Sequence, residues 1–134
     1  MTPQRTTYLK AAKQLELTTQ PRPKPAAGEV LVELTSVGVC GSDVHWYLDG
    51  HIGTTHLTEP LTLGHEPAGR VIGLGEGVDP NLMGKRVAIE PAIHCGVCPF
   101  CLEGDTNICP DVRFMGTPPV QGAFREAVAH PASL

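Results

Sequence analysis

A mainly β chain, folded as a small barrel with irregular excursions, is what this sequence predicts. Glycine and proline contribute 15 and 13 of its 134 residues, leaving little room for long helices. Short apolar alternations recur between turn-forming clusters, the pattern of many short strands. A hydrophobic content of 41% against 18% charged residues belongs to a folded chain with its own core.

Residues 6–20 read as two short strands, one around Tyr8 and Leu9, the other carrying Leu15 and Leu17 between polar neighbours. Residues 21–28, PRPKPAAG, form a connector whose prolines lack backbone donors and exclude a central strand. EVLVELTSVGVC (29–40) is the strongest strand pattern. Its alternation is only partly polar, so both faces are expected to be at least half covered. SDVHWYLDG (42–50) predicts a short helix started by Ser42 or Asp43 and stopped by Gly50.

Residues 51–64 read as a loop, and 66–78 as a strand followed by a turn. Gly73, Gly75 and Gly77 in that turn do not form a dinucleotide loop, because Pro80 stops any helix from opening after them. GKRVAIEP (84–91) is a further strand, with Lys85 and Arg86 facing solvent. Residues 92–119 show no periodicity beyond a helical turn at Pro99–Leu102, and GAFREAVAH (122–130) is a last strand. His51, His56, His94 and His130 read as surface or loop residues. Trp46, Tyr47 and Phe114 fit core and pocket wall equally well.

A single domain over 1–134 is the expectation from length. The formal charge of −4 argues against a nucleic-acid footprint or a basic membrane-surface patch. The N-terminal stretch has no signal-like apolar core and no run is long enough to span a bilayer, so a cytoplasmic protein with reduced thiols is expected.

Cys95, Cys98, Cys101 and Cys109 follow the spacing C-x2-C-x2-C-x7-C. Thiolates so placed can converge on one ion in the tetrahedral geometry of structural zinc, a closed site that serves folding rather than chemistry. An iron–sulfur run closes with a three-residue spacing, and a redox C-x-x-C sits in a βαβ unit; neither context is present. Gly96, Pro99 and Gly104 supply the turns, and the lobe is expected at about 92–115.

Cys40, at the end of the strongest strand, would alone read as a core cysteine. His65 and Glu66 in a G-H-E run some 25 residues on change that reading. Thiolate, imidazole and carboxylate are all zinc ligands, and three protein ligands plus water is the catalytic arrangement.

GVCGSDVHWY, LGHEPAG, GKRVAIEP, CGVCPFCLEGDTNIC and GTPPVQGAF, in this order, resemble the zinc-dependent medium-chain alcohol dehydrogenases. The polyol branch (sorbitol, xylitol and L-arabinitol dehydrogenases) is the most similar, with butanediol dehydrogenases near it. The resemblance runs from about residue 8 to the end. It implies a GroES-like β-barrel catalytic domain with short helices and a zinc-binding lobe, normally followed by a Rossmann domain, which is absent from this chain. Two zinc ions are implied: a catalytic one at Cys40, His65 and Glu66, and a structural one at Cys95, Cys98, Cys101 and Cys109. Glu66 matches either a direct ligand or a residue behind one.

In that family the zinc acidifies an alcohol, a hydroxyl matching Ser42 takes its proton, a histidine matching His45 relays it, and hydride passes to NAD(P). The cofactor, a small polyol or secondary alcohol as substrate, and a homo-oligomer of the full-length form are implied with it; no nucleic-acid or membrane partner is. One departure is the order Trp46–Tyr47, where the branch often has an aromatic then Trp, so a tyrosine hydrogen bond at the first position does not transfer. The rival function is a stand-alone zinc-stabilised binding or scaffold module without redox activity, supported by the missing cofactor fingerprint.

Overall fold

The computed structural model describes residues 2–134. Strands β1 (Pro3–Ala11) and β2 (Gln14–Pro21) form an antiparallel ribbon, turning at Lys13 in a left-handed conformation with φ of 62°. The proline connector leads into β3 (Glu29–Gly38), followed by helix α1 (Gly41–Asp49). A two-residue turn then joins β4 (His51–Ile52) to β5 (Thr55–His56). Next come β6 (Glu66–Leu74), β7 (Arg86–Ala88), β8 (Ala92–Ile93), helix α2 (Pro99–Glu103), β9 (Arg113–Phe114) and β10 (Ala127–Pro131).

The main sheet is antiparallel in the order β10-β3-β6-β7. Val128, Val32 and Val71 stand opposite one another across β10, β3 and β6, and all three are buried. Each contributes about 1.5–3 kcal/mol by leaving water. Val30, Ile89, Met115 and Ala123 complete that core. A second cluster of Leu9, Trp46, Leu61 and Leu63 lies under α1 and β1. Bridges at Thr6↔Arg125 and Leu9↔Leu61 tie β1 to the rest, and buried Gln4 accepts the Ala127 N–H at 2.9 Å. These links wrap the sheet toward a barrel.

Most expected elements are present, with several corrections. Helix α1 begins after an extended Cys40 rather than being capped by Ser42 or Asp43. Asp43 sits one turn in, where its carboxylate reaches back to the Cys40 N–H. Gly50 does stop the helix, with φ of 72°. Residues 51–64 hold the β4–β5 hairpin rather than only loop, and β7 is shorter than the pattern over 84–91. The outer face of β3 is covered at Leu31 but open at Glu33 and Thr35, so its two faces are unequal.

His130 is also a correction. It is 2% exposed, held between β3 and the segment after β7, and its Nε2 lies 2.9 Å from the Glu90 carbonyl. A carbonyl only accepts, so that nitrogen carries hydrogen. Burial pushes His130 below the ordinary value of 6.5, against the opposing pull of the Glu90 carbonyl and the Glu29 and Glu90 charges. Trp46 proves to be core, while Tyr47 lines an apolar groove with Leu15, Val39, Val44 and Phe124.

Candidate functional site

The site grows from the end of one strand pair. In the β3–β6 ladder Gly38 stands opposite Glu66, so the chain leaves β3 toward Cys40 beside the point where His65 leads into β6. One ligand atom each from Cys40, His65 and Glu66 lies within 4.8 Å of the others. Gly38 makes this possible, because a Cβ there would collide with the Glu66 carboxylate. Gly64 has φ of 90°, and the Phe124 ring fills the space a side chain would need.

Asp43 braces the cluster from beneath. It is 3% exposed; one carboxylate oxygen accepts the Cys40 N–H at 2.9 Å and the other accepts the Gly64 N–H at 2.9 Å. The same second oxygen lies 3.6 Å from His65 Nδ1, placing the carboxylate directly behind the imidazole. In the sequence Asp43 stands only as a candidate helix cap. The signal was present: an acidic residue three positions after a helix start reaches back to the backbone. Phe114 resolves as a wall, its ring centroid 5.4 Å from that of His65.

Ser42 is half-buried in the first turn of α1, two residues from Cys40. His45 lies one turn further on the same side of the helix, outside the cluster. Its side chain is 71% exposed, with Nδ1 3.5 Å from Asp49.

The second cluster lies in the excursion between β8 and β9. Sulfurs of Cys95, Cys98, Cys101 and Cys109 fall within 4.8 Å of one another, and all are free thiols. Backbone N–H groups point at them: Cys98 to the Cys95 sulfur at 3.4 Å, Cys101 to that of Cys98 at 3.5 Å, and Cys95 to that of Cys109 at 3.4 Å. Backbone donors at Val97 and Cys98 bring Cys95 down to about 7. Desolvation, then the sharing of hydrogens with the neighbouring sulfurs, pushes Cys101 up to about 12 despite the Gly96 N–H. A cation among four sulfurs would hold them all as thiolates, and donor set and spacing both fit zinc. The first cluster fits it too, with thiolate, imidazole and carboxylate donors, all of which zinc accepts.

Residues 26–134 match the alcohol dehydrogenase GroES-like domain. The chain belongs to that family. Sorbitol dehydrogenase of Bacillus subtilis is 46% identical over 112 residues, covering 84% of this chain and 32% of the relative. L-arabinitol 4-dehydrogenase of Aureobasidium melanogenum is 50% identical over 109 residues, covering 81% and 30%. Among solved structures, L-idonate 5-dehydrogenase from Escherichia coli superposes with a TM-score of 0.89 at 34% identity, over 98% of this chain and 38% of that one.

The GroES-like domain described here therefore spans about a third of the length of the curated relatives it matches. Its similarity to sorbitol and L-arabinitol dehydrogenases bears out the polyol-branch resemblance, and its β-rich architecture bears out the fold class. Among the described residues no helix is long and apolar enough to cross a membrane.

Proposed function

We propose that residues 1–134 are the metal-bearing catalytic domain of an NAD(P)-dependent dehydrogenase that oxidises a polyol or secondary alcohol to a ketone. The observation that carries this reading is the convergence of Cys40, His65 and Glu66 beside Ser42 on the first turn of α1. Zinc held by those three side chains would supply Lewis acidity that lowers the pKa of an alcohol hydroxyl. Ser42 accepts the substrate's hydroxyl proton, and His45, one turn along, passes it to solvent. Asp43 fixes the backbone of Cys40 and Gly64, holding two ligand-bearing segments in register. Phe114 lies beside the His65 ring and limits its movement.

Cys95, Cys98, Cys101 and Cys109 hold a second zinc whose role is to fold the lobe. The nicotinamide, which takes the hydride, would be held by parts of the full-length protein outside these residues. The 134-residue chain alone is expected to transfer no hydride. Sugar alcohols such as sorbitol and L-arabinitol are the first substrates to try, since the relatives are named for them.

The test uses the full-length protein, following NADH or NADPH formation with a panel of sugar alcohols and simple secondary alcohols. Activity on at least one, abolished by Cys40→Ser with loss of one zinc while the second stays, supports the proposal. Full activity in Cys40→Ser, or a zinc content unchanged by it, overturns it.

A further inference from the structure

The β4–β5 hairpin places His51 and His56 directly opposite each other, outside both clusters described above. The Leu57 N–H donates to the Gly50 carbonyl at 2.9 Å just beyond them. The histidines therefore form the non-hydrogen-bonded pair of the ribbon, whose side chains stand closest together on one face. Their ring centroids are 5.0 Å apart, with planes inclined at 36°. Both side chains are exposed.

A second, independent observation concerns the tautomer. His51 Nδ1 lies 3.3 Å from the Gly53 carbonyl of the turn. A carbonyl only accepts, so Nδ1 carries the hydrogen and Nε2 keeps its lone pair for a ligand. A ring nitrogen donating to a backbone carbonyl while its partner faces outward is the arrangement that orients metal-binding histidines. Gly53, with φ of 56°, makes the tight turn that puts this carbonyl within reach.

We propose that His51 and His56 form a surface site for a divalent transition-metal ion, bound by two imidazoles with water in the remaining positions. No cysteine or carboxylate joins the pair among the described residues. That donor set selects nickel, copper or zinc ions and rejects magnesium and calcium, which require oxygen ligands. The ion would link β4 to β5 immediately after Gly50, the residue that ends α1.

The experiment titrates Ni2+ into the full chain, its cysteines already loaded with zinc, and follows heat and the two imidazole proton signals. The expected result is one Ni2+ per chain, broadening of both rings, and no response to Mg2+. His51→Ala and His56→Ala should each weaken Ni2+ binding by roughly tenfold or more, since even an outer-shell change brings that loss. The double variant should bind no more tightly than either single one. Ni2+ affinity unchanged in either variant, broadening of one ring only, or an equal response to Mg2+ would each overturn the proposal. The ring-broadening readout uses the unaltered chain and stands whether or not a variant folds.

Discussion

Replacing Asp43 tests how the first cluster is held. Its carboxylate accepts two backbone N–H groups, a part-buried one from Cys40 and a buried one from Gly64, both at 2.9 Å. Hydrogen bonds to a charged group are worth about 1.5–3 kcal/mol each, so Asp43→Ala removes roughly 3–6 kcal/mol and leaves two donors unsatisfied. Against a domain stability of about 5–15 kcal/mol, that variant is near unfolding. Asp43→Asn is the more informative change. It keeps the volume and one acceptor, turns an NH2 group toward the other donor, and removes the charge 3.6 Å from His65. The expectation is a loss of about 1–3 kcal/mol in urea denaturation. A drop of roughly 10–100-fold in affinity of the Cys40–His65–Glu66 centre for zinc should accompany it, read by chelator competition. The four-cysteine centre should not change. If Asp43→Asn unfolds at the same urea concentration and keeps its zinc affinity, the carboxylate is only filler and the bracing argument fails.

Gly38→Ala should fold, because its backbone is not left-handed, yet its Cβ would push the Glu66 carboxylate aside; zinc analysis should find the first centre depleted and the second full. Cys101→Ser should release one zinc and make residues 92–114 sensitive to protease while β3 and β6 keep their amide-exchange protection. His130 binds its proton more readily unfolded than folded, so its contribution to stability is intact above 6.5 and is lost as pH falls below that value toward the depressed folded one. Denaturation at pH 7.5 and pH 5.5 should differ less in His130→Gln than in the parent chain, and an unchanged difference would assign the pH dependence elsewhere.

The parts of this molecule legible in the sequence were those written in local spacing. Four cysteines within one short segment announce their cluster because the chain between them is too short to place them far apart. Strands β3 and β6 were visible through alternation, and their ends carried Cys40 and Glu66. What stayed hidden depends on pairing over distance. Asp43 resembles any helix-start acid until Gly64 arrives from 21 residues away to donate to it. His130 reads as a surface or loop residue until Glu90 supplies a carbonyl 40 positions removed. The β4–β5 hairpin has only two residues per strand, too few to show a period.

The lobe enters and leaves the barrel through adjacent residues. Ala92 pairs with Phe114, Ile93 with Arg113, and the Met115 N–H donates to the Pro91 carbonyl at 3.0 Å. The excursion is thus a graft on a closed stem, and its length can vary without shifting any register in the main sheet. A short turn joining Pro91 to Met115 would leave the barrel ladders as they are. The stem is not neutral ground, however, because Phe114 belongs to it and rests against His65. Trimming the graft would leave the fold intact and strip one wall from the cluster at Cys40, His65 and Glu66.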